Sequence, residues 1–310
     1  MHCETITLYE DRADVTLTTY VLDDSPELLD GQPRGAVLIC PGGAYLMCSD
    51  REGEPVAMAF AAMGYHAFVL RYSVYHPEPS DSWLTQSLAP KQECQFPQPM
   101  RDIGRAMVTI QAHADQWHVD TGKIALCGFS AGAHNCAMYA VSWDKPDIAG
   151  HLGVDASLLR PAACVLGYTL SDYVYMKQVA SAADPEALAL FRASNTALLG
   201  VPDPGADLLA RVSPARLVDD STPPMYLWAT SADALVPVQH TLLMAQGLAD
   251  HAIPFEVHVF EDGPHGLSLA TPASAGVVGE IDPDAAHWVP LCAAWLYKRL
   301  AVSLPSSRSQ

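Results

Sequence analysis

The segment that most constrains the fold is Gly128-Phe-Ser-Ala-Gly132, which follows directly on the apolar run 124–127. The run predicts a buried strand, and the small residues 131–140 after the motif predict a helix. A serine on a sharp strand-to-helix turn is strained, and glycines two positions before and after it remove side chains that would clash. The motif therefore predicts a turn that lifts Ser130 above a sheet. An ordinary junction with a serine N-cap gives the same pattern, so the interpretation depends on partners elsewhere.

Two such partners follow along the chain in the order nucleophile, acid, histidine. Asp233 comes just after the predicted strand 225–230, and His265 lies in the Gly/Pro-rich loop that follows the predicted strand 255–260. Because the carboxyl ends of parallel strands meet at one edge of a sheet, we expect both side chains to lie near Ser130.

These three residue types together support nucleophilic catalysis. A serine hydroxyl must lose its proton as it attacks, and imidazole suits that transfer at neutral pH, so His265 is the expected base. Asp233 would hold the imidazole in the correct tautomer and stabilise its protonated form. Each residue also has a simpler interpretation, because Asp233 could cap the predicted helix 238–250 and His265 could be a turn residue.

A fourth element is the loop Pro41-Gly-Gly-Ala-Tyr45, which follows the predicted strand 36–40. Backbone N–H groups of such a small-residue loop can stabilise a developing negative charge. We assign Gly43, Ala44 and the N–H of Ala131 to an oxyanion hole. The alternative is a tight turn that only tolerates glycine.

At this point the chain resembles the α/β-hydrolase-fold carboxylesterases and acetyl esterases, related to the hormone-sensitive-lipase group and to bacterial enzymes that deacetylate carbohydrates. The resemblance lies in the loop 41–45, in Ser49-Asp-Arg-Glu-Gly-Glu-Pro55, in residues 64–73, 128–132 and 233–237, and in Gly263-Pro-His-Gly266. The family's usual His-Gly-Gly-Gly departs here to Pro41-Gly42-Gly43-Ala44. Ala44 still offers an N–H, but another group must brace the loop in place of the missing histidine.

Alternation of predicted buried strands with amphipathic helices indicates an α/β fold, a mainly parallel twisted sheet with helices on both faces. An antiparallel pair, 5–9 with 15–22, is expected at the sheet edge, and further helices are predicted over 51–63, 100–116 and 184–192. We predict one catalytic domain over residues 1–303 and a tail over 304–310. Residues 73–99 and 172–220 are too long for ordinary connections and are predicted pocket or lid insertions; an oligomer contact stays open for the second. Tyr45, Trp83 and Tyr173 are candidate substrate contacts.

Composition excludes several classes of partner and site. The 310 residues carry 17 Lys+Arg against 35 Asp+Glu, a net charge of −18, which repels nucleic acid and anionic membranes. No spaced Cys/His cluster indicates a metal, and no cofactor is expected. The first residues lack a signal-peptide pattern, so the sequence predicts a cytoplasmic protein that acts on a small-molecule ester.

The function that these residues favour is a serine carboxylesterase acting on short acyl esters, acetate above all, and with acetylated sugars as one substrate class. A serine peptidase or an arylformamidase of the same fold is the nearest alternative among enzymes. A hydrolase-fold binding protein without turnover also stays open, because the fold does not determine the function.

Overall fold

Alternating strands and helices build one continuous β-sheet. The computed structural model describes residues 1–76, 88–180 and 185–301, and within them the sheet has eight strands in the order β1-β2-β4-β3-β5-β6-β7-β8. The strands are β1 Thr5–Tyr9, β2 Arg12–Tyr20, β3 Arg34–Cys40, β4 His66–Arg71, β5 Val119–Phe129, β6 Ala163–Gly167, β7 Met225–Thr230 and β8 Phe255–Phe260. Only the pairs β1–β2 and β2–β4 are antiparallel among these. The predicted antiparallel edge and mainly parallel sheet are confirmed.

Helices cover both faces of the sheet. They are α1 Glu54–Ala62, α2 Gln98–Ala112, α3 Ala114–Trp117, α4 Ala131–Ala140, α5 Tyr173–Ala180, α6 Pro185–Leu199, α7 Ala206–Arg211, α8 Gln239–Asp250 and α9 Trp288–Leu300. The helices α1 and α9 pack on one face, whereas α2, α4 and α8 pack on the other. Successive strand residues point to opposite faces, so Leu38 of β3 joins one core while Val37 and Ile39 join the other.

The predicted second insertion, residues 172–220, forms three of these helices, α5 to α7, between β6 and β7. Of the first insertion, residues 77–87 lie outside the described residues, as does the predicted tail 304–310. None of the described helices is both long and apolar enough to cross a bilayer.

Candidate active site

Ser130 occupies the turn between β5 and α4 with a strained backbone, φ 51° and ψ −120°. Its N–H donates to the carbonyl of Gly167 on β6 at 3.0 Å, which ties the turn to the neighbouring strand. A Cβ on Gly132 would overlap the carbonyl oxygens of Cys40 and Pro41, so only glycine allows α4 to approach β3 this closely. The strand–turn–helix unit predicted from the motif is confirmed.

The three predicted polar residues meet at the carboxyl end of the sheet. His265 Nε2 lies 2.8 Å from Ser130 Oγ, and His265 Nδ1 lies 2.7 Å from Asp233 Oδ2. The other oxygen of Asp233 accepts the N–H groups of Leu235 and Val236, each at 2.9 Å. Because Asp233 is held by these two amides, Oδ2 is oriented toward the imidazole. The side chains form one hydrogen-bonded row from carboxylate to hydroxyl.

Arg51 holds the loop that carries His265. Its Nη2 donates to the carbonyl of Gly266 at 2.9 Å and its Nε to that of Ser274 at 2.8 Å. The guanidinium also pairs with Glu280 at 2.9 Å. With three bonds to this one region, Arg51 fixes the histidine loop against the turn 50–52 that follows the loop 41–45.

The loop 41–45, called the oxyanion loop below, has an unusual backbone. Gly43 has φ 126°, and Ala44 and Tyr45 have φ 56° and 59°, three successive positive values. A side chain on Gly43 would overlap the carbonyl of Met47. Within the described residues, no hydrogen bond leaves the N–H groups of Gly43, Ala44 or Ala131. Amides without partners beside a nucleophile can take up the charge of an oxyanion.

The oxyanion loop is braced by groups that the sequence analysis did not identify. The N–H of Gly42 donates to Glu52 Oε2 at 2.6 Å, and the hydroxyl of Tyr72 donates to the carbonyl of Pro41 at 2.7 Å. Glu52 also accepts the hydroxyl of Tyr168 at 2.6 Å. These buried groups hold the loop that lacks the family's histidine.

Tyr45 does not line the pocket as predicted, because its side chain turns into the core and is 1% exposed. Its hydroxyl bonds His134 Nδ1 at 2.5 Å, while His134 Nε2 donates to the carbonyl of Val212 at 2.8 Å. Burial lowers the pKa of His134 to about 4, so the ring is neutral and Nδ1 accepts from Tyr45. The pair joins the oxyanion loop to the nucleophile helix α4.

An apolar cavity of about 50 Å³, called the inner cavity, opens on one side of Ser130. The insertion helices α5 and α6 provide much of its wall, through Tyr173, Met176, Leu190 and Phe191. Tyr173 therefore lies at the predicted place, although its side chain is 2% exposed and offers little of its ring. Trp83, the third candidate contact, lies outside the described residues.

A wider cavity of about 240 Å³, called the outer cavity, also borders Ser130. Its lining includes Met47, Ser49, Arg51, Glu52, His265 and Gly266. Ala44, Ser130, Leu190 and Leu235 border both cavities, so the two meet at Ser130. Residues 1–76, 88–180 and 185–301 hold no group of three or more His, Cys, Asp or Glu side chains that could bind a metal ion.

The BD-FAE family model matches residues 87–248, about half of the chain. The match includes the strand–turn–helix unit that carries Ser130. The chain belongs to the BD-FAE family. The matched region of this BD-FAE chain contains Ser130 and Asp233, and His265 lies beyond it.

Curated proteins with assigned names also resemble this BD-FAE chain. The endo-1,4-beta-xylanase B of Butyrivibrio fibrisolvens is 33% identical over 249 residues, which are 78% of this chain and 34% of that protein. The chain spans between about a third and a little over half of the length of the curated relatives it matches.

Solved structures match over nearly their whole length and confirm the predicted α/β-hydrolase fold. The carboxylesterase Cest-2923 from Lactobacillus plantarum is 27% identical with a TM-score of 0.78, over 98% of this chain and 100% of that one. An acetyl ester-xyloside bifunctional hydrolase from Caldicellulosiruptor lactoaceticus is 28% identical with a TM-score of 0.70, over 95% and 96%. These proteins are ester hydrolases, the class expected from the sequence.

Proposed function

We propose that this BD-FAE chain is a serine ester hydrolase that works through an acyl-enzyme. The observation that carries the proposal is the hydrogen-bonded row from Asp233 through His265 to Ser130, which ends beside the amides of Gly43, Ala44 and Ala131. A nucleophile, a base, an orienting carboxylate and oxyanion donors are the complete set that acyl transfer needs. A binding protein without turnover has no use for this set.

In the first half-reaction, Ser130 Oγ bonds to the ester carbonyl carbon and its proton passes to His265 Nε2. The amides of the oxyanion loop and of Ala131 stabilise the negative oxygen of the tetrahedral intermediate. The bond to the alcohol then breaks, and the alcohol leaves with the proton from Nε2. In the second half-reaction, water attacks the acyl-enzyme, gives its proton to Nε2, and releases the acid while Ser130 regains a proton.

The inner cavity supports a short acyl group. An engineered apolar cavity of about 150 Å³ in another protein holds a six-carbon ring, and the inner cavity is about a third of that size. By this proportion the cavity accommodates about two carbons of an acyl group. We therefore propose acetyl esters as the preferred substrates.

The proposal for the alcohol comes from the outer cavity and from the relatives together. Ser49, Arg51 and Glu52 contribute polar groups to a lining that also contains Leu46, Leu190 and Leu235, so the cavity can take a ring with both apolar and hydroxyl-bearing faces. The similar proteins include a xylanase and an acetyl ester-xyloside hydrolase, so we propose acetylated xylose as the substrate class.

Charge and thiol chemistry support the remaining parts of the proposal. The net charge of −18 disfavours nucleic acid and anionic membranes as partners. Cysteine is free at all eight positions, and seven of the eight thiols are buried. Free thiols persist in a reducing compartment, so we propose a cytoplasmic location.

The test is a hydrolysis panel with p-nitrophenyl esters from acetate to decanoate, together with acetylated xylose. We expect kcat/KM to peak at acyl chains of roughly two to four carbons and then to decline, because longer chains gain no contact in the inner cavity. Ser130→Ala is expected to lose several orders of magnitude in kcat, because the covalent route is gone. The matched control is Ser142→Ala, just past the end of α4, which should retain activity.

Three results would each contradict one part of the proposal. Full turnover by a folded Ser130→Ala variant would contradict the acyl-enzyme mechanism. A steady rise of kcat/KM through decanoate would contradict the short acyl group. Release of acetate from the phenyl ester with none from acetylated xylose would count against the sugar.

A further inference from the structure

Glu52 is a buried carboxylate that bonds to two parts of the proposed site, the oxyanion loop and Tyr168. It lies in the 3₁₀ turn Asp50–Glu52 and is 4% exposed. Its Oε2 accepts the N–H of Gly42 on the oxyanion loop, and its Oε1 accepts the hydroxyl of Tyr168, each at 2.6 Å. The residue also lines the outer cavity beside Ser130. Burying a carboxylate costs free energy unless it is paired, so the hydrogen bonds of Glu52 decide whether its charge can persist beside Ser130.

The hydrogen bonds around Glu52 indicate that it is ionised. The hydroxyl of Tyr168 accepts the N–H of Ser268 at 2.9 Å, which leaves its single hydrogen for Glu52 Oε1. Both carboxylate oxygens therefore act as acceptors, as they do in the charged form. Burial raises the pKa of Glu52, and the donors Tyr168 and Gly42 oppose that rise because they stabilise the negative charge.

Tyr168 connects this charge to the histidine. Its ring packs edge-on against the imidazole of His265, with ring centroids 4.9 Å apart, and its hydroxyl holds Ser268 of the same loop. The charged and titratable groups around His265 are Asp233 after β7, Tyr168 after β6, Arg51 and Glu52 after β3, and Glu261 and Asp262 on its own loop. Asp233 and Glu52 are the buried carboxylates of this set.

We infer that Glu52 is a positioning residue with two separable tasks. Through the N–H of Gly42 it holds the oxyanion loop so that the amides of Gly43 and Ala44 face the nucleophile. Through its negative charge it stabilises the positive charge that the imidazole of His265 carries once it has taken the proton of Ser130. This inference rests on the proposed esterase function.

Two substitutions separate the tasks. Glu52→Gln keeps the length of the side chain and both hydrogen bonds but removes the charge. The amide oxygen can accept from the N–H of Gly42, and the amide nitrogen can donate to the hydroxyl of Tyr168. Glu52→Asp keeps the charge, but its side chain is one methylene too short to reach Gly42. The matched control is Asp50→Asn, which removes the same charge from an exposed carboxylate of the same turn that pairs with Arg71.

The measurement is kcat and KM with p-nitrophenyl acetate. For Glu52→Gln we expect kcat to fall severalfold with KM little changed, because the imidazolium that forms in the transition state loses a nearby negative charge. For Glu52→Asp we expect kcat to fall on the order of tenfold or more with KM little changed, because a displaced donor weakens only the transition state. Asp50→Asn should change neither quantity.

The native kcat in Glu52→Gln would overturn the role of the charge, and the native kcat in Glu52→Asp would overturn the positioning role. Should either variant fail to fold, Tyr168→Phe provides the same test of positioning, since it removes the hydroxyl that holds Glu52 Oε1 and keeps the ring. An unchanged kcat in that variant would overturn the positioning role. Failure of the esterase proposal looks different, because the native chain would then show no hydrolysis that depends on Ser130.

Discussion

At the scale of single residues, Asp233 shows how one side chain orients another. One oxygen is held by the amides of Leu235 and Val236, which leaves the second oxygen for the imidazole of His265. The histidine is thereby kept with its Nδ1 hydrogen toward the carboxylate and its Nε2 lone pair toward Ser130. The proposed proton transfer depends on this tautomer, because only an unprotonated Nε2 can accept the hydroxyl proton.

We predict that Asp233→Asn lowers kcat by about 10⁴. The amide oxygen can keep the bonds to Leu235 and Val236, which places the amide nitrogen against His265 and favours the wrong tautomer. Steady-state kinetics on p-nitrophenyl acetate is the measurement. Asp262→Asn serves as the control, because Asp262 is exposed and close to His265 in sequence; a larger loss in that variant would show that the acid has been misassigned.

Residues such as Glu52 mark the limit of what the sequence could predict. Ser130, Asp233 and His265 each follow a strand with a clear sequence pattern, so local pattern and chain order were enough to place them together. Glu52 lies in a polar segment that predicts an exposed helix start, and it is buried only because the oxyanion loop and Tyr168 close over it. The prediction that Tyr45 lines the pocket was wrong, because its side chain is buried rather than exposed to substrate. Nothing in the local sequence distinguishes an aromatic residue that lines a pocket from one that bonds a buried histidine.

At the scale of secondary structure, two strands and one helix were predicted with the correct bounds. Strand β7, a buried apolar run, and strand β8, in which apolar and polar residues alternate, coincide with the predicted ranges, and so does helix α4. Strand β5 begins at Val119 rather than at residue 124, because the polar residues that follow Val119 give no strand signal. Helix α6 continues to Leu199, beyond the predicted end at 192, and its later residues are buried in the core by tertiary packing.

The contact between α4 and β3 leads to a prediction at this scale. Gly132→Ala should destabilise the protein by about 1–3 kcal/mol or more, because a Cβ would overlap backbone carbonyls that cannot rotate away. Activity should fall as well, since β3 leads into the oxyanion loop. Denaturant unfolding and kcat are the measurements. Gly150→Ala is the control, since its Cβ would meet Pro146 at an ordinary 3.7 Å, and equal stability of the two variants would contradict the prediction.

At the scale of the whole molecule, buried neutral histidines couple stability to pH. Burial lowers the pKa of His66, His134 and His240 to about 4 in the folded chain. The unfolded chain binds these protons near pH 6.5. Between about pH 6.5 and 4 the unfolded state therefore holds more protons, so this part of the stability is complete above that window and is lost as the pH falls through it.

We predict that His66→Gln flattens this dependence. His66 lies at the start of β4, and its Nδ1 accepts the N–H of Leu22 at 3.0 Å, a bond that glutamine can also accept. Removing one such group should reduce the slope of unfolding free energy against pH by up to about 1.4 kcal/mol per pH unit inside the window. Urea unfolding at pH 7, 6 and 5 gives the slope. The exposed His287 provides the control as His287→Gln; the same slope in all three proteins would rule out this account.

The two cavities that meet at Ser130 take most of their walls from different stretches of the chain. The inner cavity takes much of its wall from the helices inserted between β6 and β7, and the outer cavity from the turns that follow β3 and β8, although Leu190 of the insertion borders both. In the proposed esterase, a single recombination event that replaces the β6–β7 insertion would therefore change the released acid more than the alcohol. The preferences for the two ends of an ester can then diverge to different extents in descendants of this scaffold.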